Sequence, residues 1–106
     1  MSRLVFRLVM LLAIALPAFP QALNGTLVGT ITDPSGAVVP NAKVAIVEVN
    51  TNLSRSSTTN ESGNFSFANL PQGRYTVTIE QSGFRKASRE NVDVTINSTV
   101  RVDVQM

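Results

Sequence analysis

Apolar and polar side chains alternate with a period of two through most of the chain after residue 22. Leu27 and Ile31 share one face of a first stretch, and Ala42, Val44 and Ile46 share one face of a second. This period is typical of strands that bury one face, whereas an amphipathic helix repeats about every 3.6 residues. No helical period occurs after residue 22. The pattern therefore predicts an all-β domain.

The alternation continues in the second half of the chain. Phe65 and Phe67 face inward from a short strand, and Leu70-Pro71-Gln72-Gly73 turns the chain. The inward positions that follow are Tyr75, Val77, Ile79, Val92, Val94, Ile96, Val100, Val102 and Val104. Residues 85–90 form either a strand or one helical turn. Seven short strands at roughly 10-residue spacing predict a seven-stranded antiparallel β-sandwich.

Residues 50–64 are polar, and they form either a long loop or an exposed edge strand flanked by loops, of which we favour the edge strand. Loops on a rigid sandwich commonly carry binding sites, and an unpaired edge can accept a partner's strand. The centre of this stretch is therefore the candidate interaction loop. It consists of Ser54, Arg55, Ser56, Ser57, Thr58, Thr59, Asn60, Glu61 and Ser62.

Residues 1–22 have the composition of a secretory signal peptide. Arg3 and Arg7 supply a positive n-region, residues 8–16 form an unbroken apolar stretch, and Ala22 ends the segment with a small side chain. The apolar stretch is shorter than the about 20 residues that span a bilayer. We therefore expect export and removal of this segment rather than membrane anchoring.

Cleavage after Ala22 leaves one domain, residues 23–106, and no membrane span. Cleavage after Ala18 is the alternative, because Pro20 occupies a position where a small residue is usual. Loss of two arginines with the signal leaves seven cations and seven anions. A neutral domain gives no support for nucleic-acid binding, which requires a basic face.

The composition also excludes much catalytic chemistry. The chain has no His and no Cys, so it lacks the usual zinc ligands and the parts of a Ser-His-Asp or Cys-His arrangement. Its acidic residues are scattered singly, and its glycines form no nucleotide-binding motif. We expect no enzymatic activity, no cofactor and no metal. The basic residues Arg85, Lys86 and Arg89 are interpreted as a solvated edge that discourages strand pairing.

Two stretches, residues 29–44 and 59–77, resemble the carboxypeptidase regulatory-like domain, a small transthyretin-like β-sandwich. The likeness extends over about Thr26 to Val104, and its matching positions are turn glycines, turn prolines and inward apolar side chains. A similar domain stands at the N-terminus of Oar-like TonB-dependent outer-membrane receptors. The resemblance implies an accessory role and supplies no catalytic residue.

These observations predict a non-catalytic, exported accessory or interaction module of the bacterial cell envelope, in the periplasm or at the outer membrane. Its expected partner is an envelope protein or polysaccharide of unspecified identity. One alternative is a carbohydrate-binding module of starch-binding-like topology, which a row of exposed aromatic residues would favour. The other is an adhesin or stalk repeat, which tandem copies in the neighbouring coding sequence would favour.

Overall fold

The computed structural model describes residues 24–106, which form eight β-strands and no helix. The predicted signal peptide and its cleavage sites lie outside these residues. The strands are β1 (Asn24–Thr32), β2 (Lys43–Glu48), β3 (Ser54–Thr58), β4 (Asn64–Pro71), β5 (Gly73–Glu80), β6 (Ala87–Val94), β7 (Thr99–Arg101) and β8 (Val104–Gln105). The all-β prediction is confirmed. Nothing in residues 24–106 qualifies as a helix that could cross a membrane.

The strands form two sheets that pack face to face. One sheet has the order β4-β1-β7, with β8 also paired to β1, and the other has the order β3-β2-β5-β6. All pairs are antiparallel except those of β1 with β7 and β8. These two are parallel because the chain crosses between sheets after β6 and then runs in the direction of β1. The β-sandwich prediction is confirmed, and the structure differs from it in this parallel edge and in having eight strands where seven were predicted.

The last predicted strand is divided in two where it passes Gly29. The amide of Val102 donates to the carbonyl of Val28 at 2.8 Å, and β8 resumes pairing at Ile31. A Cβ atom at Gly29 would lie 1.8 Å from the carbonyl oxygen of Val102. A glycine is therefore required where the kinked strand approaches β1.

The core lies between the sheets and consists of the inward positions of both. Its buried apolar residues are Leu27, Ile31, Val39, Ala42, Val44, Ile46, Phe65, Phe67, Leu70, Tyr75, Val77, Ile79, Val92, Val94 and Val104. Val100 and Val102 are partly buried and pack against this core. Ile96 is the exception to the predicted alternation, because β6 ends at Val94 and Ile96 lies 38% exposed in the following turn.

Two further segments differ from what the sequence predicted or left open. Residues 87–94 form β6, so the alternative of a helical turn over residues 85–90 is wrong. β4 continues through Pro71 and β5 begins at Gly73, so the change of sheet takes one residue where a four-residue turn was expected. The hydroxyl of Tyr75 donates to the carbonyl of Pro71 at 2.7 Å and holds this crossover closed.

Candidate interaction surface

The predicted edge strand within residues 50–64 is confirmed as β3, which pairs only with β2 among the described strands. Ser54, Ser56 and Thr58 are exposed and point away from the core. Their register partners on β2 are Val47, Ala45 and Lys43. The exposed side chains of β3 are short and carry hydroxyl groups, so they do not obstruct access to the strand from its outer side.

Arg55 faces the other way and joins the two sheets. Its Nη1 atom donates to the carbonyl of Ala68 in β4 at 2.8 Å, and its guanidinium lies 5.9 Å from the ring centroid of Phe67. A guanidinium over an aromatic face is favourable, and here it also covers a carbonyl of an edge strand. Arg55 therefore holds the sandwich closed between β3 and β4 and is not free to contact a partner.

Thr59 is buried, with 2% of its surface exposed. Its hydroxyl donates to the carbonyl of Val39 at 2.7 Å and accepts from the amide of Ala42 at 2.9 Å. These bonds attach the end of β3 to the segment that enters β2. Thr59 is thus a structural residue, and a hydroxyl in a polar stretch gave no sign of this in the sequence.

The turn after β3 is held by its first residue. The Oδ1 atom of Asn60 accepts from the amides of Ser62 and Asn64, both at 3.0 Å, and Gly63 has a φ of +74°. The side chains of Glu61 and Ser62 are left exposed at the tip. This is an Asx turn, in which a side-chain oxygen fixes the local backbone.

The same turn occurs a second time, at Asp33. Its Oδ1 atom accepts from the amides of Ser35 at 2.9 Å and Ala37 at 3.0 Å, and Gly36 has a φ of +88°. Hydrogen bonds to Asp33, led by that of the Ser35 hydroxyl, lower its pKa. The two turns lie together, since the amide of Ile31 donates to the carbonyl of Gly63.

The structure divides the predicted interaction loop into exposed and structural residues. Arg55, Ser57 and Thr59 face inward or support the fold. The exposed set, which we name the β3 surface, consists of Ser54, Ser56, Thr58, Asn60, Glu61 and Ser62. This surface offers hydroxyl, amide and backbone hydrogen-bonding groups and a single carboxylate.

Glu48 is a buried residue that the sequence did not reveal. Only 3% of its surface is exposed, and its carboxylate accepts from the amide of Thr51 at 2.7 Å, the hydroxyl of Thr51 at 2.8 Å and the amide of Asn50 at 3.0 Å. These hydrogen bonds, the Thr51 hydroxyl foremost, lower the pKa of Glu48, although burial opposes them. The carboxylate therefore fixes the β2–β3 turn through hydrogen bonds to Asn50 and Thr51.

No cluster of three acidic residues that could hold a metal ion occurs within residues 24–106. The buried polar side chains of this part of the chain also have hydrogen-bond partners. The surface of residues 24–106 thus consists of strand edges and turns, and it carries no group of three potential metal ligands. The expectation that the chain is not an enzyme stays a prediction.

The fold and this surface define a transthyretin-like β-sandwich. The model of the carboxypeptidase regulatory-like domain matches residues 26–106, and the chain belongs to this family. The resemblance found in the sequence is thereby confirmed. Because enzymes and binding proteins can share one fold, membership does not by itself determine function.

Among known proteins, the chain is similar to the TonB-dependent transporter Oar of Myxococcus xanthus, with 32% identity over 91 residues. That match covers 84% of this chain and 8% of the transporter. The chain thus spans less than a tenth of its relative's length.

Solved structures share the fold. The Bacillus anthracis TIE protein matches with a TM-score of 0.67 and 21% identity, over 78% of this chain and 16% of that one. A 5-hydroxyisourate hydrolase of Klebsiella pneumoniae matches with a TM-score of 0.57 and 26% identity, over 76% of this chain and 88% of the hydrolase. A carbohydrate-binding protein of Pseudomonas aeruginosa, described as putative, matches with a TM-score of 0.55 and 21% identity, over 86% of this chain and 99% of that protein.

Proposed function

We propose that the chain is a non-catalytic, exported accessory module of the bacterial cell envelope, related to the N-terminal extension of a TonB-dependent receptor. The relation to Oar supports the envelope setting. The observation that carries an interaction role is the exposed edge strand β3, whose outer side is bordered by short hydroxyl side chains. The module binds an envelope protein through the β3 surface.

Strand addition is the binding mode that fits this surface. An edge strand presents unpaired backbone groups, and main-chain hydrogen bonds to them supply affinity. Arg55 and Thr59 fix the inner side of β3 and its end, so the strand is ordered before a partner arrives. Preorganisation lowers the entropic cost of binding.

Replacing the whole loop would not test this proposal, because Arg55 and Thr59 support the fold. The sharper test is a pull-down from envelope extract with the Ser54→Lys/Ser56→Lys variant, whose long charged side chains obstruct the edge. Ser66→Lys/Ser88→Lys is the matched control, since both positions are exposed and lie in the edge strands β4 and β6.

We expect the Ser54→Lys/Ser56→Lys variant to lose the partner and the Ser66→Lys/Ser88→Lys control to retain it. Equal recovery of the partner by both variants would exclude the β3 surface. Turnover of a glycan or a peptide by the purified protein would overturn the non-catalytic assignment.

A carbohydrate-binding role has narrower support. Phe65, Phe67 and Tyr75 are buried, and Phe84 is the one exposed aromatic residue in the described part of the chain, at 39%. A row of exposed aromatic rings is thus not present in residues 24–106. One ring is enough for a subsite that holds a single sugar. The adhesin or stalk alternative still depends on finding tandem copies of the domain.

A further inference from the structure

An open groove of about 500 Å³ lies at the end of the sandwich where β2 begins and β5 ends. Its lining residues are Asn41, Lys43, Glu80, Gln81, Ser82, Phe84 and Lys86. None of them belongs to the β3 surface. Small-molecule sites in proteins typically enclose about 300–1,000 Å³. The groove is therefore large enough for a sugar ring and its substituents.

Phe84 is held at this groove by a hydrogen-bonded turn. Its amide donates to the carbonyl of Gln81 at 3.0 Å, and Gly83 supplies a φ of +85°. The side-chain amide of Gln81 donates to the carbonyl of Pro40 at 3.2 Å, which ties the turn to the neighbouring segment. Phe84 lies outside the buried core cluster, so its ring is available to a ligand.

The charges at the groove favour an anionic ligand. Lys86 lies 3.4 Å from a carboxylate oxygen of Glu80, which partly neutralises both. Lys43 stands opposite Glu80 in the sheet register but forms no ion pair within residues 24–106. Two cations therefore face one anion at the groove, whereas residues 24–106 as a whole carry seven cations and seven anions.

We propose that this groove binds one acidic sugar residue of a polysaccharide. The apolar face of the pyranose ring packs on Phe84, and its carboxylate lies near Lys43. The amides of Asn41 and Gln81 provide hydrogen bonds to hydroxyl groups, as the few polar groups of a small-molecule site commonly do. This site does not depend on the β3 surface, so either proposal can fail while the other stands.

The test is a titration of protein produced from the full 106-residue sequence with trigalacturonate and with neutral maltotriose. Amide chemical shifts measured by NMR report which residues respond, and calorimetry reports affinity. We expect trigalacturonate to shift the amides of residues 81–86 and to bind more weakly as salt is raised, because salt screens exposed charges. Maltotriose should bind about tenfold more weakly or not at all.

Two variants separate the contributions. Phe84→Ala should weaken binding of trigalacturonate by about tenfold. Lys43→Gln should abolish the preference for the acidic sugar while leaving the fold intact, since Lys43 is exposed. Ile96→Ala is the matched control, because Ile96 is 38% exposed in a turn at the opposite end of the sandwich. Urea unfolding confirms that each variant is folded.

Equal affinity for the acidic and neutral sugars would overturn the proposal, as would an unchanged affinity in folded Phe84→Ala. Vesicles containing phosphatidylglycerol serve as a further arm. Binding to the vesicles with no response to trigalacturonate would assign the groove to lipid headgroups and reject the saccharide.

Discussion

At the scale of single residues, the buried carboxylate of Glu48 determines how the β2–β3 turn is held. Its oxygen atoms accept from the backbone and side chain of Asn50 and Thr51 and from the amide of Arg74. A Cβ atom at Gly73 would lie 2.8 Å from this carboxylate. The carboxylate of Glu48 therefore connects the β2–β3 turn to the start of β5 by hydrogen bonds.

This arrangement predicts a pH-dependent stability. The pKa of Glu48 is lower in the folded chain than its usual value of 4.5, so the stabilisation is complete above pH 4.5 and is lost as pH falls through the lowered value. Urea midpoints should therefore fall more steeply below pH 4.5 for the wild type than for Glu48→Gln, which should be the less stable at pH 7. Glu61→Gln, at an exposed position, is the control and should follow the wild type. A Glu48→Gln variant with the wild-type pH profile would contradict the assignment.

At the scale of elements, the two faces of β5 differ in what they contribute. Ile79 is fully buried between the sheets, whereas the neighbouring Thr78 lies on the outer face and is partly exposed. Ile79→Ala should lower the free energy of unfolding by about 2–5 kcal/mol, and Thr78→Ala by less than about 1 kcal/mol. Urea unfolding of the two variants measures both values. Equal losses would mean that β5 does not bury the face described.

The contact of Arg55 with β4 predicts a different effect. Arg55→Ala should lower the free energy of unfolding by about 1–3 kcal/mol, because it uncovers Phe67 and removes the donor to the Ala68 carbonyl. It should also promote self-association, since an edge strand loses its cover. Sedimentation at several protein concentrations checks this. Arg74→Ala, which removes only an exposed ion pair with Asp93, should sediment like the wild type and be nearly as stable.

Alternation along the chain predicted the buried faces of β1, β2 and β5, together with Phe65 and Phe67 in β4 and Val92 and Val94 in β6, because burial in a sandwich follows the two-residue period of the backbone. It failed at Ile96, where the apolar pattern continues into a turn. The parallel pairing of β7 and β8 with β1 depends on which sheet the chain joins, which local pattern does not encode. Thr59 was missed because its partners Val39 and Ala42 lie far away along the chain. Glu48 was missed because a carboxylate followed by polar residues looks like an ordinary exposed turn, although those residues donate the hydrogen bonds that make its burial tolerable. The groove beside Phe84 likewise forms only when β2 and β5 meet.

At the scale of the whole molecule, the export signal stays a prediction, because residues 1–22 lie outside the part of the chain that the structure describes. The positive n-region with Arg3 and Arg7 and the apolar residues 8–16 predict that the mature protein begins near residue 23. N-terminal sequencing of protein recovered from the envelope fraction measures this directly. Recovery of a membrane-embedded chain that still begins at Met1 would contradict export with cleavage.

The parallel pairing of the first and last strands has a mechanical consequence. Asn24 and Met106 lie at opposite ends of the sandwich, and β1 is joined to the C-terminal segment through the amides of Thr26, Val102 and Met106. Tension applied to these two residues pulls neighbouring strands past each other, so their hydrogen bonds are loaded together rather than one after another. Stretching a single molecule between these points should require more force than pulling it between Asn24 and Pro71, which face each other at one end of the antiparallel pair β1–β4. A pull along the length of the domain is thus resisted by several hydrogen bonds at the same time.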